Sequence, residues 1–208
     1  MFPKFEGIDS DKKDAIFNAA LSEFARKGYK QASTNQIVKD AGISKGLLFH
    51  YFNSKKDLYL YLYDHFVQVF LEHILAHVNW KEKDIFLRNR QIAYLKLGLF
   101  QKYPQVFQFL TTVFQELDTE VKAELDERSR KFMSNEYMQM VHDIDAAKFK
   151  DGVDVKRAVQ IIAWSLEGFA LQQQEKLRGQ KLVPAQIEGF LEEMDAYIEV
   201  LKQGFYKS

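Results

Sequence analysis

Helix-breaking residues are rare in this chain. Its 208 residues include only 3 Pro and 10 Gly, and strand-like alternation of apolar and polar residues is hard to find. Hydrophobic residues make up 47% of the chain, which is ample for a sizeable core and argues against disorder. The composition therefore predicts an all-α protein whose long helices have few breaks.

The chain after residue 54 shows the periodicity of long amphipathic helices. Pro104 and Pro184 stand near two predicted helix starts, where the missing amide hydrogen of proline costs nothing. Asp118, Asp154 and the Asp151-Gly152 pair mark breaks between helices. Six long helices are predicted, at about 55–79, 84–101, 105–115, 119–145, 155–178 and 184–206.

The first 53 residues differ, because their predicted helices are separated by glycine. A first helix is predicted at about 10–27, with Gly28 after its cationic last turn. A second helix begins at Ser33, and Ser33-Thr34-Asn35-Gln36 fits a capping box in which Gln36 reaches back to the Ser33 amide. This pattern predicts a first helix followed by shorter ones, ahead of the six helices of the rest of the chain.

The stretch QIVKDAGISKGLLFHYF, residues 36–52, has the spacing of a helix-turn-helix motif. Gly42 lies in the turn, and Ser44 caps a third helix about two turns long. Ile43, Leu48 and Phe52 are predicted to pack inward. The residues predicted to remain on the outer surface of the domain are Lys45, Gly46, Leu47, Phe49, His50 and Tyr51. An outward row of lysine, backbone and aromatic groups at a helix N-terminus suits the major groove of DNA.

The charge distribution fits this interpretation. The whole chain has a net charge of +0, yet residues 1–60 contain ten Lys or Arg against seven Asp or Glu. The N-terminal quarter is therefore modestly basic, as a small DNA-reading module on an acidic body would be.

Several other classes of protein find no support in the sequence. The absence of Cys excludes a disulfide scaffold and thiolate metal sites, and it fits a reducing cytoplasm. The N-terminus lacks the apolar segment of a secretory signal, and no run approaches the roughly 18 apolar residues of a membrane span. We predict a soluble, cytoplasmic protein with no membrane partner. No Ser-His-Asp, paired-carboxylate or phosphate-loop pattern is present, so we predict neither an enzyme nor a cofactor.

The segment from about Lys13 to Leu58 resembles the tetracycline-repressor (TetR) family of bacterial transcription regulators. The resemblance is carried, in order, by Ile16, Ala19-Ala20, Phe24, Gly28-Tyr29, Thr34, Ile37, Ala41-Gly42-Ile43-Ser44-Lys45-Gly46, Phe49-His50-Tyr51-Phe52 and Ser54-Lys55. It covers about a quarter of the chain, and the remainder matches only in helix number and length. It implies a three-helix DNA-binding domain (1–53) and a six-helix domain (54–208) for effector binding and dimerisation.

The resemblance also implies which residues contact DNA. They are Ser33, Thr34, Ser44, Lys45, Gly46, Leu47, Phe49, His50, Tyr51 and Lys55. Ser33 and Thr34 would meet backbone phosphate, and Lys55 would bind phosphate at the start of the fourth helix. The family often has Tyr where this chain has Phe49, which favours an apolar contact with a thymine methyl group there. Lys45 is the best candidate for guanine readout.

The body of the chain holds more aromatic residues than a tight core needs, which favours a pocket for a lipophilic or flat effector. The candidate effector contacts are Phe66, Phe70, His73, Phe107, Phe114, Trp164 and Phe169. We predict no metal site. The alternative is a metal-responsive regulator, since His73 and His77 are four residues apart on one helix face and His142 or carboxylates would complete the site.

The last two predicted helices suggest a dimer interface. On the last one an apolar seam steps 4, 3, 4, 3, 4, through Ile187, Leu191, Met194, Ile198, Leu201 and Phe205. On the one before, a narrow face of mostly small residues consists of Ala158, Ile161, Ser165 and Gly168. Two such helices from each subunit would form a four-helix bundle. Alternatively, the seam closes the core of the single subunit.

These patterns together predict a ligand-responsive repressor that binds a palindromic operator as a homodimer. The effector would favour a dimer geometry whose two recognition helices no longer match the half-site spacing. The fourth helix, which begins at Lys55, would connect the two domains. Activation instead of repression stays open.

Overall fold

The computed structural model describes residues 2–140, 143–176 and 183–207. These residues form ten α-helices: α1 (Pro3–Glu6), α2 (Ser10–Gln31), α3 (Thr34–Asp40), α4 (Lys45–Tyr51), α5 (Lys55–His77), α6 (Ile85–Lys102), α7 (Pro104–Phe114), α8 (Thr119–Met140), α9 (Val155–Lys176) and α10 (Pro184–Phe205). A 3-10 turn covers Ala146–Lys148. The all-α prediction is confirmed. Within the described ranges every helix is too short or too polar to span a bilayer.

The chain packs into two compact units, which interleave along the sequence. Unit 1 comprises Met1–Val69 and Tyr103–Arg130, and unit 2 comprises Phe70–Lys102 and Lys131–Ser208. Helix α5 contributes residues to both units. The predicted boundary after residue 53 separates a DNA-binding domain from an effector-binding and dimerisation domain, which is a different division from these two packing units. It stays a prediction.

Helix starts follow the predicted signals closely. Ser44 Oγ accepts a hydrogen bond from the Leu47 amide at 3.1 Å, and Pro104 and Pro184 occupy the first turns of α7 and α10. Helix α2 extends past the predicted end, because a further turn follows the interruption at Gly28, whose φ is 68°. Conversely, the predicted helix 119–145 is too long, since Asp143 has φ 59° and cannot continue it.

The predicted capping box at Ser33 is only half correct. Ser33 Oγ accepts from the Gln36 amide at 3.4 Å, as expected for an N-cap. The Gln36 side chain, however, donates to Asp40 Oδ1 at 2.7 Å. The Ser33 amide instead donates to the Glu23 carboxylate at 3.0 Å, since a charged acceptor makes the stronger hydrogen bond.

An aromatic cluster joins the N-terminus to α2, α4 and α5 in unit 1. Phe5 of α1 is fully buried, and its ring lies 5.3 Å from Phe17, 4.7 Å from Phe52 and 5.6 Å from Tyr61, measured between centroids. Aromatic pairs at these distances add to the stability gained by burial. The short helix α1, which the sequence analysis did not predict, is therefore part of the core.

The core of unit 2 lies between α6, α9 and α10. Its buried residues include Phe86 of α6, Ile162 and Phe169 of α9, and Met194 and Ile198 of α10. The predicted dimer seam on α10 is covered within the subunit, because its first four residues are at most 9% exposed. Met194 and Ile198 belong to this cluster, and Leu201 and Phe205 pack against it. Ile187 and Leu191 pack with Leu97 of α6 in a second cluster. The seam interpretation is wrong for this reason, and the alternative, closure of the subunit's own core, is correct. Ala158, placed on the small face of α9, is also buried there.

Asp84 fixes the start of α6 within this unit. Its Oδ1 accepts from the Phe86 amide at 2.9 Å and from the Leu87 amide at 3.3 Å, and its Oδ2 pairs with Lys148 Nζ at 2.8 Å. Burial alone would raise the pKa of Asp84, but the hydrogen bonds from Lys148 and the two amides lower it below the usual value. The carboxylate therefore stabilises the folded state as an anion.

Replacement of this side chain tests that role. Asp84→Ala is expected to lower the free energy of unfolding by about 2–4 kcal/mol, because it removes an N-cap and leaves Lys148 without its carboxylate. The pKa of Asp84 is lower in the folded state than in the unfolded state. The difference in stability between the wild type and Asp84→Ala should therefore shrink as the pH falls below 3.8. Urea unfolding at several pH values measures both effects. Asp151→Ala, which removes an exposed pair with Lys207, should change stability by no more than about 0.5 kcal/mol.

Candidate nucleic-acid interface

The turn between α3 and α4 has the geometry of a Schellman motif. The Ile43 amide donates to the Val38 carbonyl at 3.0 Å, and the Gly42 amide donates to the Lys39 carbonyl at 3.3 Å. Gly42 has φ 66°, a conformation that costs other residues free energy. The glycine thus closes α3 and directs the chain into α4 after two residues.

Helix α4 divides into an inner and an outer face. Leu48 and Phe52 are buried, at 1% and 0% exposure, and Ile43 is partly buried. Ser44, Lys45, Gly46 and His50 are exposed, whereas Leu47, Phe49 and Tyr51 are partly buried. The division follows the prediction, although the aromatic residues lie less far outside than expected.

Open space lies in front of the first turn of α4. A Cβ atom added to Gly46 would meet no other heavy atom of the chain within 4 Å. Packing within the subunit therefore does not require glycine here. A glycine at this position would allow another molecule to approach the helix closely.

Tyr51 is held by the N-terminal helix. Its ring centroid lies 5.8 Å from that of Phe5 and 5.8 Å from that of His50. Phe5 stands 46 positions earlier in the chain, and no local pattern in the sequence indicated the contact. Helix α1 thus supports one predicted DNA-contact residue directly.

Lys55 binds backbone carbonyls at the end of α2. Its Nζ donates to the oxygens of Tyr29, Lys30 and Ala32, at 2.9, 3.2 and 3.3 Å. The ammonium also lies 4.5 Å from the centroid of the Tyr29 ring, a favourable cation–π distance. Three acceptors match the three N–H groups of a lysine. The predicted phosphate contact of Lys55 stays a prediction, beside this structural role.

Glu23 is a buried carboxylate that the sequence analysis missed. It is 2% exposed and pairs with Arg26 at 2.7 Å and with Lys27 at 3.0 Å, besides accepting from the Ser33 amide. Burial alone would raise its pKa, but the hydrogen bonds from Arg26, Ser33 and Lys27 lower it below the usual value. Glu23 therefore links α2 to the start of α3 as an anion.

The candidate effector contacts lie in both units. In unit 1, Phe66 is partly buried, with its ring 6.2 Å from Phe109, Phe107 is buried, and Phe114 is 46% exposed. In unit 2, Phe70 is buried, with its ring 5.7 Å from Phe100, and Phe169 belongs to the core, whereas Trp164 is 63% exposed. Within unit 2, Phe169 packs inward and Trp164 faces outward, so these two do not meet at one site.

His73 and His77 stack on each other, with ring centroids 4.1 Å apart. His77 Nδ1 lies 2.7 Å from the His73 carbonyl oxygen. Partial burial, followed by the nearby His77 and Lys102, lowers the pKa of His73. No group of three or more potential metal ligands exists among the described residues, and His142 lies outside them. No observation on these residues favours the metal alternative.

Comparison with known proteins decides the family. Residues 16–66 match the model of bacterial regulatory proteins of the tetR family. The HTH-type transcriptional regulator QacR of Staphylococcus aureus is 30% identical over 148 residues, which cover 67% of this chain and 70% of QacR. The chain belongs to the TetR family. The predicted family, and the helix-turn-helix that defines its N-terminal part, are thereby confirmed.

Two further comparisons show how far the likeness to TetR-family proteins extends along the chain. The HTH-type transcriptional regulator RutR of Escherichia coli is 31% identical over 129 residues, which cover 58% of this chain and only 59% of RutR. The crystal structure of the transcriptional regulator FadR from Bacillus subtilis in complex with stearoyl-CoA superposes with a TM-score of 0.64 at 17% identity, over 92% of this chain and 98% of FadR. This second likeness demonstrates a shared fold.

Proposed function

We propose that this chain is a DNA-binding repressor that recognises a palindromic operator as a homodimer and is controlled by a lipophilic small molecule. The observation that carries the proposal is the outer face of α4. Lys45, Gly46 and His50 are exposed there, while Leu48 and Phe52 anchor the helix from its inner face. The exposed groups are not needed for packing, so they are available to a partner.

The chemistry of this face suits the major groove. The Lys45 ammonium can donate to guanine O6 and N7, and the partly exposed Leu47 and Phe49 can contact thymine methyl groups. The exposed Ser44 hydroxyl and the α3 residues Ser33 and Thr34 are candidates for phosphate contacts, which fix register without reading sequence.

The proposed dimer uses an apolar face of α9 and α10 that the subunit leaves uncovered. This dimer face consists of Ile161, Trp164, Leu171, Tyr197 and Val200, which are 43–69% exposed. On α9 the residues follow a heptad-like spacing of 3 and 7, and exposed apolar clusters of this kind mark interaction surfaces. A two-fold axis would pair the same face of two copies into a four-helix bundle. The last two helices thus stay the proposed interface, through a different face from the predicted seam.

The proposed effector is lipophilic. Support comes from the aromatic residues on α5 and α7, and from the fold shared with FadR, which was crystallised with stearoyl-CoA. Trp164 fits the dimer face better than an effector site, because most of its side chain is exposed on α9.

Replacement of Lys45 tests DNA recognition. An operator is first selected from random duplex DNA with the wild-type chain. Lys45→Ala should then weaken binding by about 10–100-fold, because the base contact is lost, and its thermal unfolding should match that of the wild type. Lys156→Ala removes the same charge from an exposed position on α9 and should leave affinity nearly unchanged. Equal affinities for both variants would contradict the assigned recognition face.

A charge on the dimer face tests assembly. Val200→Asp should convert the dimer to a folded monomer, because an isologous interface would bring two carboxylates together in an apolar surface. Light scattering after gel filtration measures the mass. Tyr94→Asp introduces the same charge at an aromatic side chain of α6 that is also mostly exposed, at 59%, and should leave the dimer intact. A Val200→Asp dimer of wild-type stability would rule out this face.

Stearoyl-CoA serves as the probe for the effector class. It should release the operator in a fluorescence anisotropy assay, whereas free coenzyme A should not, since burial of the acyl chain supplies the binding energy. Phe66→Ala should raise the concentration needed for release. Equal release by coenzyme A, or none by stearoyl-CoA, would contradict an acyl-chain effector.

A further inference from the structure

The backbone that leads from the last turn of α2 into α3 is held by charged side chains from three separate parts of unit 1. This connector, Tyr29–Ser33, begins directly after the left-handed Gly28 and ends at the residue that caps α3. Tyr29 and Ala32 are buried, at 2% and 6% exposure. The connector therefore sets where the chain enters α3.

Two carboxylates bind the amides of the connector. Glu116, in the turn between α7 and α8, accepts from the Tyr29 amide at 3.0 Å through Oε2. Its other oxygen accepts from the amides of Leu117 and Asp118, at 3.1 and 3.0 Å, so the carboxylate is fixed in its own turn. At the other end, Glu23 accepts from the Ser33 amide at 3.0 Å.

One ammonium binds the carbonyls of the same segment. Lys55, at the first position of α5, donates to the oxygens of Tyr29, Lys30 and Ala32. A neighbouring contact lies between α7 and α2, where Thr112 Oγ1 is 3.3 Å from the Ala25 carbonyl oxygen and 2.9 Å from its nearer acceptor, the Gln108 carbonyl oxygen. Charge-assisted hydrogen bonds are stronger and more directional than neutral ones. Five of them, made by three side chains, act on the five residues of the connector and leave it little freedom.

We propose that Glu23, Lys55 and Glu116 are positioning residues for DNA recognition, which hold the Tyr29–Ser33 connector and thereby the start of α3. The inference rests on the proposed function, because it assigns these residues a role in operator binding. None of the three needs to touch DNA. They act through Ser33 and Thr34, the predicted phosphate contacts, and through the orientation of α3 and α4 behind them.

The direction in which operator affinity changes distinguishes a positioning role of Glu116 from a simple effect of its charge. Glu116 is an anion, so its removal from a protein that binds a polyanion should strengthen binding if only net charge matters. If Glu116 positions the connector, its removal should weaken binding. For Lys55 the salt dependence separates the two roles. Loss of a phosphate contact makes the negative slope of log K against log salt concentration smaller in magnitude by about 0.9, whereas loss of positioning leaves the slope unchanged.

The experiment measures operator affinity by fluorescence anisotropy at several salt concentrations, for full-length variants. Glu116→Ala is expected to bind about tenfold more weakly than wild type. Glu116→Gln, which keeps an oxygen acceptor for the Tyr29 amide, should recover most of that loss. Asp14→Ala removes an exposed carboxylate from α2 and should bind as the wild type does or slightly more tightly. Lys55→Gln should weaken binding without a change in slope.

Hydrogen exchange of the free protein provides a second measurement. Glu116→Ala should lose protection at the Tyr29 amide, with α9 and α10 unaffected. If Glu116→Ala is too unstable to assay, the salt slope of Lys55→Gln decides. Wild-type affinity of Glu116→Ala, or a salt slope smaller in magnitude by about 0.9 in Lys55→Gln, would overturn this inference alone. Failure of the wild-type chain to bind any duplex would instead overturn the proposed function, and the positioning role with it.

Discussion

Helices of seven residues are not stable alone in water, and the proposed DNA-reading surface is built on two of them. Helices α3 and α4 persist because Ser33 and Ser44 cap their first turns and because a few side chains are fully buried. Leu48 and Phe52 lie four positions apart, so together they commit one face of the α4 segment to the core. The opposite face is left to solvent as a consequence. The same burial that makes α4 a helix therefore determines which of its side chains can meet a partner.

Local signals predicted most of this surface. The Ser44 cap, the Gly42 turn and the inward position of Leu48 and Phe52 each depend on residues within a few positions of one another. The support behind the surface could not be predicted in the same way. Tyr29 and Glu116 stand 87 positions apart, and Phe5 reaches Tyr51 only after the chain has folded back. Sequence periodicity reports only on residues that are close along the chain. For this reason it predicted neither helix α1 nor the hydrogen bonds that hold the connector.

Periodicity also shows that a helix has an apolar face without showing what covers it. Helix α10 has two such faces: Met194 and Ile198 are buried in the subunit, whereas Tyr197 and Val200 are exposed. The dimer interface was predicted on the face with the more regular spacing, and this is the face that packs in the core of the subunit. Trp164 and Phe169 on α9 illustrate the same ambiguity, because five positions along a helix place two aromatic residues on different sides. The start of α9 and both bounds of α10 were predicted within about one residue, and the predicted end of α9 at residue 178 lies outside the described residues. The direction in which the faces of these helices point nevertheless required the fold.

The charges around the connector explain how a chain with a net charge of +0 can present a face suited to DNA. The charge of Glu23 is offset by its ion pairs with Arg26 and Lys27, whereas Glu116 accepts hydrogen bonds from three backbone amides and keeps its negative charge. Lys30, Lys39 and Lys45, by contrast, are exposed. A phosphate responds to charges within about one Debye length, roughly 8 Å at physiological salt, and not to the total for the chain. The exposed lysines near α3 and α4 therefore matter more to a bound phosphate than the distant acids of the chain do. The ion pairs of Glu23 with Arg26 and Lys27 help to hold the connector and also reduce the repulsion that this carboxylate would exert on DNA.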